Sequence, residues 1–283
     1  PRPKSSAASD VYKRQWLRLH RNSNCAGIEG GCVSCALQET RVSLATNRRR
    51  TLLDVLAVKP YANASSIGAF MRSVVEDMVS AEPGGVPWSG IDSPPECRAT
   101  QVDRLFAFVE ERRVRCCTCS SMRQEFRRDV VMELPVLAGS PDVASLTELY
   151  LQRCASRSMR ASCTSKTCGG VEREHEEQSR LLHSPAVLLV QLCRESTSAP
   201  FAPEEHVSFA SCGSAELVAV VYETKGANGS KCFACASRGP DDEFWLFGGG
   251  RNSSQRVRSC ISDINRHSCV FLVYVPSVSY THL

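Results

Sequence analysis

The 283-residue chain predicts an α+β fold that combines helices with an antiparallel sheet. Three features predict it. Residues 216–275 hold β-branched and aromatic runs of four to eight residues, separated by Gly, Asn, Ser, Pro and Asp, which is the pattern of consecutive strands. Residues 41–58 and 65–79 carry apolar side chains at helical spacing among charged ones. The cysteines fall in close groups (25/32/35, 116/117/119, 163/168 and 232/235), which suits metal sites better than a small disulfide scaffold.

Residues 16–60 read as helical. Val42, Leu44, Leu52, Leu53, Val55, Leu56 and Val58 form the apolar set, and Pro60 stops the pattern. The second helix, 65–79, begins at a serine pair that can cap it. Residues 80–98 hold Pro83, Gly84, Gly85, Pro87, Gly90, Pro94 and Pro95, the composition of a surface loop or internal linker. Residues 101–108 read as helix or strand, followed by a basic stretch at 110–115. Residues 128–136 then read as one apolar strand, 143–154 as a helix with Leu146, Leu149, Tyr150 and Leu151, and 185–192 as a buried strand. Residues 200–214 read as a loop with a short strand. The C-terminal strands fall at 216–222, 231–238, 244–247 and 270–275, and the first and last of these are apolar enough to predict burial on both faces.

The two ends stand apart. Residues 5–15 resemble the in-frame translation of a transposase-based sequencing adapter, and 278–283 resemble its other strand in another frame. Residues 1–15 and 278–283 are therefore expected to be adapter-derived, leaving 16–277 as one truncated domain with a helical part (16–98) and a sheet part (99–275). The whole chain carries 34 Lys+Arg against 30 Asp+Glu. Residues 1–15 hold four of the basic residues (Arg2, Lys4, Lys13, Arg14) and one acid (Asp10), so the remainder is close to neutral. Composition then gives no charge argument for nucleic acid or a membrane surface. No apolar run approaches the about 18–20 residues that a spanning helix needs, and no membrane partner is expected.

The C-terminal order resembles the end of the ubiquitin-specific protease superfamily. There, a strand of type Tyr-x-Leu-x-Ala-Val-Val is followed by Gly-His-Tyr-x-Ala-Tyr, Trp-x-x-Phe-Asp-Asp and an apolar strand ending in Leu-x-Tyr. Here the matching pieces are Val218-Ala219-Val220-Val221, Phe233-Ala234, Trp245-Leu246-Phe247 and Leu272-Val273-Tyr274. Upstream, a cysteine hairpin, the strand Val130-Val131-Met132-Glu133-Leu134-Pro135, a helix, a second cysteine pair and His183-Ser184-Pro185-Ala186-Val187-Leu188 keep the superfamily's order. The resemblance covers about 100–275 and implies a papain-like fold with partial thumb, fingers and palm.

It also implies a catalytic strand pair without its chemistry. Lys231 stands in the place of the histidine, Cys232 in that of the following tyrosine, and Gly248 and Gly249 in that of the residue that orients the imidazole. A thiol protease needs an imidazole to take the thiol proton and a third group to fix that ring. Lysine is mostly protonated at neutral pH and glycine offers no side chain, so no catalytic residue is expected here.

Within the superfamily, the chain is most similar to the inactive ubiquitin-hydrolase-like domain of the poly(A)-nuclease deadenylation complex catalytic subunit. The carriers are Gly229-Ser230-Lys231-Cys232-Phe233-Ala234-Cys235, Cys32-x2-Cys35 before an amphipathic helix, and Cys116-Cys117-Thr118-Cys119-Ser120. The chain departs from that domain in its second pair, Cys163-x4-Cys168. The resemblance implies a cytoplasmic scaffold in mRNA deadenylation, with its own downstream nuclease domain and a pseudokinase-type subunit as partners. The alternatives are a divergent deubiquitinating thiol protease with its nucleophile upstream of Trp16, and a stand-alone module that binds ubiquitin.

The expected metal site is one structural zinc on Cys116, Cys119, Cys163 and Cys168, because zinc takes four thiolates in a tetrahedron and two cysteine pairs supply them. Cys117 could replace Cys116, and the four-residue spacer also fits a site that has lost its metal. Cys25, Cys32 and Cys35 with His20 are a second metal candidate, against the reading of buried thiols. Cys232 and Cys235 are three apart on a predicted strand, a spacing that argues against a shared site. His175, His183, His206 and His267 lie outside the motif position and read as surface or structural residues. Arg112, Arg113, Arg115, Arg127 and Arg128 flank a hairpin, as a solvated charged face or a contact with RNA or a partner.

Overall fold

The structure is a computed structural model. It describes residues 32–33, 35–36, 59, 64–82, 100–136, 142–143, 145–147, 150, 157–183, 185–194, 201, 203–209, 213–225, 229, 231–238, 244–248, 255–257 and 269–276. Both segments expected to be adapter-derived, the helix expected over 41–58 and the loop at 83–98 lie outside these residues.

Two helices are placed by their caps. In α1 (Ile67–Ser80), the Ser66 hydroxyl accepts the Ala69 N–H at 3.1 Å, and Val74, Val75, Met78 and Val79 form the buried stripe. Helix α2 (Gln101–Phe106) starts from a capping box in which Thr100 and Asp103 satisfy each other's backbone N–H. The carboxylate of Glu82, just past α1, also accepts the N–H groups of Gln101 and Val102 at 2.8 and 3.0 Å. One acid thus ties the end of α1 to the start of α2 across the Pro/Gly-rich segment. Of the helix expected at 143–154, positions 143, 145–147 and 150 are described and helical.

Twelve described strands form two sheets. The first is antiparallel, in the order β2-β1-β5-β4, from β1 (Phe108–Cys116), β2 (Met122–Asp129), β4 (Arg157–Ser162) and β5 (Glu172–His183). The second has eight strands: β3 (Val131–Val136), β6 (Leu188–Arg194), β7 (His206–Phe209), β8 (Gly213–Lys225), β9 (Lys231–Arg238), β10 (Phe244–Gly248), β11 (Gln255–Val257) and β12 (Cys269–Pro276). Its order is β11-β10-β9-β8-β12-β6-β3, with β7 paired to β8. The β3–β6 pair is parallel, so this sheet is mixed rather than purely antiparallel.

Apolar residues pack on both faces of the larger sheet. One core gathers Leu134, Val190, Leu192, Leu217, Val220, Leu272 and Tyr274, and the other sets α1 against Val131, Leu189 and Phe271. The α1 contact is close. The Gly68 N–H donates to Gln191 Oε1 at 2.7 Å, and a Cβ at position 68 would fall 2.0 Å from that oxygen. Arg72 fastens the same helix to the corner between the sheets, bonding Asp129 and Glu133, each at 2.8 Å.

Three expectations change. The apolar strand at 128–136 is two strands in two sheets, broken at Val130. The strand expected at 185–192 begins only at Leu188, while the charged segment before it forms the long β5. In β8 Leu217 and Val220 are buried but Val218, Ala219 and Val221 are half-buried, so the second face of that strand is only partly covered, where Val221 meets the α1 core. Among the described residues, no helix is long and apolar enough to cross a membrane.

Candidate functional site

The four expected zinc ligands converge at the tip of the four-stranded sheet. Cys116 ends β1, and the chain turns back through Ser120, whose φ of 57° is left-handed and whose N–H donates to the Cys116 carbonyl at 2.9 Å. That turn brings Cys119 under Cys116. The second pair sits between β4 and β5. There the Cys168 and Gly169 N–H groups both donate to the Ser165 carbonyl, and Gly169 and Gly170 take φ of 64° and 76°. The turn at Ser165 folds the longer spacer back, so Cys168 closes on Cys163 despite four residues between them, and the two left-handed glycines that follow return the chain to Val171, whose carbonyl accepts the Cys163 N–H at 3.2 Å. The β1–β5 ladder, through the pair Cys116↔His175, holds the two turns side by side.

The four Sγ atoms all lie within 4.8 Å of one another. Cys119 and Cys163 are 3.6 Å apart, and Cys116 and Cys168 are 3.9 Å apart. A tetrahedron with Zn–S of about 2.3 Å has S–S edges of about 3.8 Å, so the donor set fits a structural zinc. Cys116, Cys163 and Cys168 are buried and Cys119 half-buried. Cys117 is exposed and outside the cluster, which settles the choice between it and Cys116.

The backbone prepares the first pair of thiols for ionisation. The N–H of Cys119 points at the Cys116 sulfur, with that of Thr118, and together they outweigh burial and bring the Cys116 thiol down to about 6. The Ser121 N–H likewise lowers the Cys119 thiol. The Cys168 thiol is pushed up to about 12 by neighbouring Cys119 and by burial. Four thiolates without a cation would repel one another. A bound zinc would remove that repulsion and join the two hairpins; its role here is structural, since all four positions are taken by protein sulfur.

Other candidates are dispersed. His175 is buried in the four-stranded sheet, its Nδ1 2.9 Å from the Arg173 carbonyl oxygen, as a structural histidine. His183 ends β5, opposite Val109. His206 is exposed on β7, opposite Glu216. Lys231 begins β9 opposite Lys225, nine residues further along β8. At about 3.3 Å per residue, the two positions are about 30 Å apart. Strand β9 reads Lys-Cys-Phe-Ala-Cys-Ala-Ser-Arg and carries Lys231 and Cys232; β10 reads Phe-Trp-Leu-Phe-Gly and ends at Gly248, opposite Ala234. Neither strand has an imidazole, an acid or an amide. Gly249, His20, Cys25 and His267 lie outside the described residues, and Cys32 and Cys35 join no metal-binding group among them.

The arginines flanking the hairpin are mostly spent on carboxylates. Arg112 bonds Glu177 at 2.5 Å, Arg113 bonds Glu111 at 2.6 Å, and Arg128 meets Asp103 at 2.7 Å. Sequence reasoning missed the partner in the middle pair. Glu111 is 1% exposed, and Arg113, Arg180 and Gln124 close over its carboxylate. Burial pushes this carboxyl up, but the two guanidinium groups outweigh it and hold it below its ordinary value. A cleft of about 390 Å³ lies beside α1, lined by Arg72, Glu76, Arg127, Arg128, Asp129 and Glu133 among others. Its lining holds equal numbers of acids and bases, with no nucleophile or imidazole.

No family model matches the sequence, and no curated protein matches it. Among solved structures, the chain is similar to the SAGA DUB module of Ubp8, Sgf11, Sus1 and Sgf73 bound to monoubiquitin. The TM-score is 0.67 at 14% identity, over 95% of this chain and 64% of that one. The architecture is therefore a sheet-rich α+β fold like that of this neighbour. At this identity the likeness fixes the fold alone, and the chain spans less than two thirds of the length of its neighbour.

Proposed function

We propose that this chain is a catalytically silent ubiquitin-hydrolase-like domain that acts as a scaffold. One observation carries the reading: the strand pair β9–β10 is present in register, yet holds no proton acceptor and nothing to orient one. A thiol nucleophile supplied from elsewhere in a longer protein would find no base on these strands. The tetrathiol at the fingertip is the part of the site that remains chemically complete, and its work is to hold the sheet together.

The role extends to a longer parent protein. The sequence resemblance supports a poly(A)-specific exoribonuclease subunit of a cytoplasmic deadenylation complex. There this domain would brace a downstream nuclease domain and meet a pseudokinase-type partner. The test uses the full gene product. Purified protein should shorten poly(A) RNA from its 3′ end with a divalent cation and leave ubiquitin conjugates uncut. A product that cleaves ubiquitin conjugates and leaves poly(A) intact overturns the proposal.

A second reading rests on the solved neighbour, which is bound to monoubiquitin. A domain of the same fold could bind ubiquitin without cleaving it, and titration of labelled ubiquitin into the chain separates this module from a pure scaffold.

A further inference from the structure

We propose that the fingertip tetrathiol is an oxidation-sensitive crosslink: a hydroperoxide converts it into two disulfides that join hairpin to hairpin, Cys119 to Cys163 and Cys116 to Cys168. The inference rests on the structural-zinc reading of the same site. Its ground is the direction of the sulfur contacts. The two Sγ–Sγ hydrogen-bonded contacts, at 3.6 and 3.9 Å, both run between the hairpins, over sequence separations of 44 and 52 residues. The β1–β5 ladder already holds the two turns together, so the bonds need side-chain closure to about 2.05 Å rather than movement of a strand. Access sets the order. Cys119 is half-buried while the other three cysteines are 1%, 3% and 6% exposed, so oxidant meets Cys119 first.

The chemistry balances with hydrogen peroxide as oxidant. The Cys119 thiolate attacks one peroxide oxygen, the O–O bond breaks, and a sulfenic acid forms with release of hydroxide. The Cys163 thiolate then attacks that sulfur, the S–S bond forms, and a second hydroxide leaves. Two electrons pass from the two thiolates to one peroxide, and two protons turn the two hydroxides into water. Cys116 and Cys168 repeat the step with a second peroxide. The zinc, stripped of its four ligands, departs as the dication, while the hairpins stay joined covalently.

Trypsin makes the hairpin-to-hairpin linkage readable, and fragmentation of the linked peptides assigns each bond to Cys116 or Cys119. Cleavage after Arg115, Arg123, Arg160, Lys166 and Arg173 puts Cys116, Cys117 and Cys119 in one peptide (116–123), Cys163 in a second (161–166) and Cys168 in a third (167–173). The zinc-loaded chain is titrated with hydrogen peroxide. Released metal is read with a chromogenic chelator, free thiols are blocked by alkylation, and the digest is mapped by mass spectrometry. The expected result is one zinc released per two peroxides, with peptide 116–123 linked to both of the others, through Cys119 to 161–166 and through Cys116 to 167–173; the swapped linkage overturns the pairing. Cys117→Ser should give the same map. Peptide 116–123 carrying an internal bond, with 161–166 joined only to 167–173, overturns the proposal; so do sulfinic acids formed without disulfides. A chain that takes up no zinc defeats the metal reading alone, and the same map on that metal-free chain still decides the pairing.

Discussion

The Cys119 sulfur lies 3.6 Å from that of Cys163, although the two residues are separated by 44 positions and belong to different hairpins. The four-stranded sheet is therefore closed at its tip by side chains as well as by its backbone ladder, and a cation there would offset the charge of four thiolates.

Chain prepared under reducing conditions should hold one zinc, measured by atomic emission. Stripping it with a chelator should lower the thermal midpoint. Cys119→Ser or Cys163→Ser should weaken zinc binding by about 100-fold or more, since even partners of metal ligands are worth 10–100-fold. Cys117→Ser should leave affinity and midpoint unchanged. Equal zinc content in all variants would exclude the site.

At Gly68 two effects compete. Alanine raises helix propensity by up to about 1 kcal/mol. A Cβ would displace Gln191 Oε1 and leave the Gly68 N–H without its bond, a cost of about 1–3 kcal/mol. Gly68→Ala should therefore destabilise by about 1 kcal/mol net. The cost should shrink when Gln191→Ala is already present. Urea titration of the two single variants and the double variant checks this; a stabilising Gly68→Ala would mean that α1 does not pack here.

Glu111 predicts a pH dependence. Its folded-state carboxyl titrates below the ordinary value of 4.5, so its contribution is complete above that value and fades as pH falls through the lower folded one. Arg113 and Arg180 are 42% and 62% exposed, so water screens the pairing. Glu111→Gln should cost about 1–2 kcal/mol at neutral pH. The gap to wild type should narrow in acid. A gap that stays constant or widens as pH falls would contradict the assignment.

Strands β8 and β12 were legible because they are apolar runs bounded by turn residues. The strands of the four-stranded sheet were not. Strand β1 reads Phe-Val-Glu-Glu-Arg-Arg-Val-Arg-Cys and β5 Glu-Arg-Glu-His-Glu-Glu-Gln-Ser-Arg-Leu-Leu-His. Their charges sit on both faces and find partners across the sheet, as Arg112 does in Glu177 and Glu111 in Arg180. Such strands show no apolar alternation, and the signal lies in pairing that only the fold reveals. The metal ligands were legible from cysteine spacing, but not how Cys163-x4-Cys168 closes, because that depends on a backbone turn in which the Ser165 carbonyl accepts the Cys168 and Gly169 N–H groups. The break at Val130 was hidden because β2 ends in Arg128 and Asp129, directly against the apolar run that becomes β3, with no Gly or Pro between them.

The central claim is that β9 and β10 carry no protease chemistry, and its most direct test is reaction of the full-length gene product with a ubiquitin probe activated at its C-terminus. The account predicts no covalent adduct and no hydrolysis of a fluorogenic ubiquitin amide above the buffer rate. An adduct on a cysteine of the protein, with hydrolysis that alkylation abolishes, would contradict it.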